Sequence, residues 1–168
     1  MYIDKKLQQL QHENFSVTKM EWKESYNIGI DVIDHQHRQI LDYINALEQI
    51  RESGHRDEIK DVLNDLIDYT QSHFSFEENL LEQVYYEYLP SHKGLHALFV
   101  KRLHEYRQKF DQGESIEHDL HRLLSKWLLN HIQHDDQDYV DSVRENMLLY
   151  LRNQEKKKGK GWFAKFFN

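Results

Sequence analysis

Histidines and carboxylates fall on apolar stripes of helical period, on four successive segments of the chain. His73 and Glu77 are four residues apart, as are His92 and His96. His131 stands four residues after Trp127, and Asp136 follows it by five. His37 heads the stripe His37, Ile40, Leu41, Ile44, Leu47. Residues at i and i+4 lie one above the other on a helix, so each segment directs its polar groups to the side that carries its leucines and isoleucines. Burying five imidazoles and two carboxylates without partners would cost several kcal/mol for each group. A fold that accepts this pattern must therefore bring all seven together around compensating positive charge.

The rest of the sequence agrees with helices. Only one Pro and six Gly occur in 168 residues, fewer than strand-and-turn architectures need. Periodicity predicts helices over about 34–52, with Asp34 as N-cap and Gly54 as stop, and over about 57–85. A third starts at Pro90 and ends at Asp111-Gln112-Gly113. A fourth starts near Ser115 and carries Ile116, Leu120, Leu124, Trp127, Leu128 and His131, and a further helical stretch covers about 137–152. Short connections imply antiparallel neighbours, hence an all-α, up-down-up-down four-helix bundle. Residues 21–34 lack helical period and read as an extended segment packed on the bundle. The expected organisation is an N-terminal arm (1–20), a helical domain (21–153) and a tail (154–168).

With no Cys, disulfides, thiolate zinc sites and iron–sulfur clusters are excluded. Imidazole-rich ligation without thiolate suits iron, zinc or copper. Seven ligands, two of them carboxylates able to bridge, fit two octahedral metals and favour iron. A single histidine on an apolar face is ordinarily a packed core residue, but coincidence on four consecutive helices is specific. The remaining seven of the twelve histidines serve as a control. His12, His55 and His118 fall in loops or near helix starts, His104 and His121 lie off the stripes, and His35 and His134 neighbour ligand positions but point elsewhere. All seven read as surface residues or as supports behind the ligands.

At these residues the chain resembles the hemerythrin family. Trp22, Tyr26, Gly29-Ile30 and Ile33-Asp34-His35-Gln36-His37 are similar to its N-terminal signature. His73-Phe74-Ser75-Phe76-Glu77-Glu78, then His92 with His96, and Trp127 through His131-Ile132 to Asp136 and Tyr139 resemble its other motifs. The resemblance spans about residues 20–140 and implies two non-haem iron ions with an oxide or hydroxide bridge. It implies one iron held by His92, His96 and His131, and the other by His37 and His73 with an open position. Glu77 and Asp136 would bridge, and molecular oxygen would be bound reversibly, for storage, delivery or scavenging rather than for enzymatic turnover. Ile40, Phe74, Trp127, Leu128 and Ile132 are expected to wall the open position, because reversible binding needs a dry pocket. Glu78 could orient a ligand histidine, but as a residue one step off the ligand face it reads as a solvated acid.

The formal charge of −7 argues against a nucleic-acid partner. Lys156, Lys157, Lys158, Lys160 and Lys165 stand beside Trp162, Phe163, Phe166 and Phe167 in the tail. Basic and aromatic residues together suit weak, reversible attachment to an anionic membrane surface or a partner protein. The bland alternative is a tail that folds back on the bundle or is simply disordered. The expected location is the cytoplasm, peripheral to the inner membrane if the tail attaches. Competing functions are an oxygen or redox sensor acting through a partner, a di-iron enzyme acting on peroxide or nitric oxide, and a metal-free helical module.

Overall fold

The computed structural model describes residues 19–53 and 56–156. The arm up to residue 18, Gly54, His55 and the tail beyond Lys156 lie outside the described residues, as do the readings of His12 and of the basic–aromatic tail. The described chain contains helices α1 (Asp31–Ser53), α2 (Arg56–Gln83), α3 (Leu89–Asp111), α4 (Glu117–Asn130) and α5 (Gln137–Lys156). A 3-10 turn, Glu24–Tyr26, precedes α1, and a π-helical segment, His131–Asp136, joins α4 to α5. α1 packs on both α2 and α4, and α2 packs on α3. α3 meets α4 through Phe99 stacked on Trp127 at 3.6 Å between ring centroids.

The interior has two storeys. Ile44, Leu47, Leu63, Leu66, Leu103, Leu120 and Leu124 are fully buried and fill one end. Burial of each such side chain stabilises by roughly 1.5–3 kcal/mol. The seven expected ligands collect at the other end, because antiparallel order dictates it. His37 is early in α1, His73 and Glu77 are late in α2, His92 and His96 are early in α3, and His131 with Asp136 follow α4. No helix among the described residues is long and apolar enough to cross a membrane.

Several boundaries differ from the sequence expectation. α1 begins at Asp31, a turn before Asp34, and the carbonyl of Ile30 accepts from the N–H groups of Ile33 and Asp34. Asp34 is therefore not the N-cap. Its carboxylate reaches back to accept the N–H of Ile28 (2.8 Å) and of Gly29 (3.1 Å). The segment before α1 is not wholly extended, since it contains the 3-10 turn and bends at Gly29, whose φ of +81° favours glycine. α2 ends at Gln83, and Tyr85 takes a left-handed φ of 56° in the connection that follows. α3 ends at Asp111, and the expected stop follows it: Gly113 has φ +92°, and Glu114 N–H is bonded to the carbonyl of Lys109 as in a Schellman cap. The fourth helix and the 137–152 stretch were expected to be separate; the π-helical segment makes them continuous.

Candidate metal centre

All seven expected ligands are buried, none more than 5 % exposed. Their polar atoms converge in two sets within which the atoms lie no more than 4.8 Å apart: His37, His73, His131 with Asp136, and Glu77 with His92 and His96. The carboxylates reach between them. Glu77 Oε2 is 3.2 Å from the Nε2 atoms of both His92 and His96, and 3.8 Å from that of His131. Asp136 Oδ2 is 2.9 Å from His37 Nε2, and Oδ1 is 3.3 Å from His131 Nε2 and 3.9 Å from His92 Nε2. His131 is central: its ring centroid lies 5.2 Å from that of His96, 5.7 Å from His37, 5.8 Å from His73 and 6.0 Å from His92. The three-and-two division implied by the resemblance puts His131 with His92 and His96, whereas its ligand atom groups with His37 and His73.

The π-helical segment explains how His131 and Asp136 share this interior. Five residues of regular α-helix advance about 1.4 turns, which would turn Asp136 about 140° away. The i→i+5 hydrogen bonding of a π-helix stacks residues five apart, and such segments are found at functional sites. His131, Ile132 and Asp136 are accordingly buried while Gln133 and His134 are exposed.

Behind the donor atoms stands a second set of residues. His73 Nδ1–H donates to Gln36 Oε1 (2.9 Å), and His96 Nδ1–H donates to Glu78 Oε1 (2.9 Å). Because both acceptors lack a proton to give, the Nε2 lone pairs of His73 and His96 must face inward. These two Nε2 atoms, both ring nitrogens of His37 and His131, and both oxygens of Asp136 are buried without a hydrogen-bond partner among the described residues. His37 and Asp136 are close enough to bond, yet their geometry does not form a hydrogen bond. The donor atoms point at a shared space rather than at each other, as metal ligands do.

Electrostatics carry the same message. Burial, reinforced by His73 and His131, holds the His37 imidazole well below its usual pKa, and burial pushes His73 down to about 3. Burial also lowers His131, so these rings are neutral, the state that ligates metal. Burial alone would push the Glu77 carboxyl up, but the adjacent His92 and His96 imidazoles hold it well below the usual carboxylate range. Burial and the neighbouring Glu77 charge push Asp136 well above it. Two buried carboxyl groups facing three imidazoles held neutral thus form a site deficient in positive charge. Divalent or trivalent metals supply that charge, and the residues present fit them.

Of the five residues expected to wall the open position, two stack on rings of the cluster. Ile40, Phe74, Leu128 and Ile132 are buried, and Trp127 is half-buried. Phe74 stacks on His96 at 3.7 Å and 5° between planes, and Trp127 stacks on His131 at 4.7 Å and 18°. An open groove of about 640 Å³ between α2 and α3 is lined at its floor by Phe74 and His96.

Comparison with known proteins places this geometry. Residues 28–143 match the hemerythrin HHE cation binding domain. The chain belongs to the hemerythrin family. It is 43 % identical to a bacteriohemerythrin of Stenotrophomonas maltophilia over 144 residues, 86 % of this chain and 92 % of that protein. A bacteriohemerythrin of Clostridium acetobutylicum is 31 % identical over 127 residues, 71 % of this chain and 98 % of that one. A solved wild-type hemerythrin structure superposes with a TM-score of 0.71 at 31 % identity, covering 75 % of this chain and 98 % of that one. Hemerythrins bind oxygen at a non-haem di-iron centre, so the helical bundle and the His/Glu/Asp cluster are those of a bacterial hemerythrin.

Four supporting residues were missed or misjudged from sequence. Glu78 was read as a solvated acid, but it is bonded to His96. Gln36 appeared only as part of a motif, and Asp135, 3.6 Å from His131 Nδ1, was not singled out. Tyr139 appeared only as the end of a motif. It is fully buried, and its hydroxyl donates to Glu77 Oε1. Burial and the Asp136 and Glu77 carboxyls push its pKa well above the usual tyrosine value, so it keeps its proton. Among the control histidines, His35, His104, His118 and His134 are exposed, but His121 is buried at the face of α4 that meets α1.

Proposed function

We propose that His37, His73, Glu77, His92, His96, His131 and Asp136 hold two iron ions in this hemerythrin, and that the chain binds molecular oxygen reversibly for storage, delivery or scavenging. The observation that carries the ligand assignment is the convergence of buried, unpartnered Nε2 and carboxylate atoms on one space. When bound, the two irons would supply the electrons that reversible oxygen binding takes up. Glu77 and Asp136 are the proposed bridges, since each has oxygen atoms within 4 Å of more than one histidine.

The chain's own residues favour holding a ligand over turning it over. Ile40, Phe74, Trp127, Leu128 and Ile132 are the proposed wall that excludes water, and none of them carries an acid or base. Tyr139 is the proton-bearing group beside Glu77, and its raised pKa makes it a poor proton donor. The test is elemental analysis followed by anaerobic reduction and oxygen titration under optical spectroscopy. Two irons per chain and a spectrum that reverses when oxygen is removed are expected, with faster autoxidation in Leu128→Ala. One metal per chain, or oxygen consumed without a lasting adduct, would overturn the reading.

The tail sequence, Lys156 to Asn168, supports a separate proposal of weak attachment to an anionic surface, at about 1 kcal/mol per basic residue near the lipid. Truncation after residue 155 is expected to abolish salt-sensitive sedimentation with anionic vesicles while leaving iron content unchanged. Equal sedimentation of both forms would remove this role.

A further inference from the structure

The imidazoles of the cluster are not backed alike. His96 Nδ1–H donates to a carboxylate, Glu78 Oε1, at 2.9 Å, and the other Glu78 oxygen is 3.9 Å from Lys93 Nζ. His73 Nδ1–H donates at the same distance to a neutral amide, Gln36 Oε1. His37 Nδ1 is buried with no hydrogen-bond partner among the described residues. The α2–α3 side of the site is therefore backed by a hydrogen-bonded carboxylate and the α1–α2 side by a neutral dipole or by nothing, while His131 Nδ1 lies 3.6 Å from Asp135 Oδ2 without a hydrogen bond to it. Both acceptors fix a tautomer and a ring orientation. Only the carboxylate also adds a full negative charge behind the nitrogen that faces the metal, and altering such a partner of a ligand histidine commonly costs about 10–100-fold in metal affinity.

We propose that Glu78 is a positioning residue whose charge makes the Glu77–His92–His96 set the stronger of the two metal-binding sets, so that the two metals load in a fixed order. The proposal rests on the di-metal reading given above. Gln36 is its counterpart: it orients His73 without adding charge and leaves the His37–His73 side electron-poor. Glu78 is 25 % exposed at its side chain, and it lines the groove that opens to solvent, so its charge can be removed without creating a buried void.

The experiment titrates cobalt(II) into the metal-free full-length chain, following d–d absorption and calorimetry. Wild-type protein is expected to take up two cobalt ions in two resolved steps. Glu78→Gln retains an acceptor opposite His96 Nδ1 and deletes only the charge. It should weaken the first step about 10–100-fold, shift the spectrum of the first equivalent, and leave the second step within about twofold. Glu78→Asp should recover part of the loss. Gln36→Glu should strengthen the second step and narrow the gap between the two. An unchanged first step in Glu78→Gln, or equal weakening of both steps, overturns the proposal. If Glu78→Gln does not fold by circular dichroism, an unchanged second step in Gln36→Glu overturns it instead. Failure of the wild type to bind a second cobalt would reject the di-metal reading itself, before any variant is compared.

Discussion

Tyr139 is an aromatic residue on an apolar stripe, and such residues are ordinarily core. Its ring is core, but its hydroxyl is the donor to Glu77 Oε1. Tyr139→Phe keeps the ring and leaves a buried carboxylate oxygen short of a donor, which costs about 1–3 kcal/mol. Thermal unfolding of the metal-free protein should show Tm lowered by several degrees, and an unchanged Tm would mean that the hydroxyl contributes nothing. The contrast with the proposed ligands shows what single residues reveal in a sequence. His37, His73, Glu77, His92, His96 and His131 were legible because each is a polar group where the helical period demands an apolar one. Glu78, Gln36 and Asp135 were not, because each sits one residue from a ligand, and its role depends on which way the ligand ring turns. His121 was misread as surface because its position is off the main stripe of α4, yet Glu48 and Arg51 of α1 act on its buried ring.

At the level of elements, the start of α1 decides where His37 lands. Asp34 was assigned to the N-cap because its residue type and place before an apolar run fit that role. The chain instead turns at Gly29, enters the helix at Asp31, and uses the Asp34 carboxylate to hold the preceding loop. Asp34→Ala removes both acceptor contacts and leaves the buried Ile28 N–H without its partner. A loss of about 1–3 kcal/mol is expected in denaturant unfolding. A change below about 0.5 kcal/mol would show that water replaces the carboxylate. Helix existence and antiparallel order were legible from spacing alone, since apolar stripes, Pro90 and Gly113 are local signals. The π-helical segment was not. A period of 3.6 residues cannot place His131 and Asp136 on one face, so the sequence pattern broke where the helix did not. The segment aligns two groups that a regular helix would separate.

Across the whole molecule, antiparallel packing gathers seven polar side chains at one end of the bundle, and this makes stability depend on protons and metal together. In the metal-free protein His37, His73 and His131 are held neutral by burial, His73 down to about 3. The unfolded chain protonates its histidines near 6.5. Above that pH both states are neutral and these groups have no effect. As pH falls below 6.5 the unfolded state takes up protons that the native state cannot, and each such histidine removes about 1.4 kcal/mol of stability per pH unit. For His73 the window extends from about 6.5 down to about 3. Glu77, whose carboxyl is depressed, adds to the acid-side loss below its ordinary value of 4.5. Asp136 acts oppositely: its raised pKa means that the native state keeps a proton the unfolded state releases, so it gains stability on acidification. Four imidazoles, counting buried His121, outweigh the two raised carboxyls Asp136 and Asp34, and Tm of the metal-free protein should fall between pH 7 and pH 5, most of it below 6.5. Iron that binds only the folded chain stabilises by mass action and requires the same groups deprotonated. The iron-loaded protein should therefore melt higher than the metal-free form at pH 7, with the gap shrinking as protons compete for the ligands. A metal-free Tm that stays flat between pH 7 and pH 5 would show that the imidazoles are not held neutral by the fold. A constant gap across that range would show that iron is not held by these histidines.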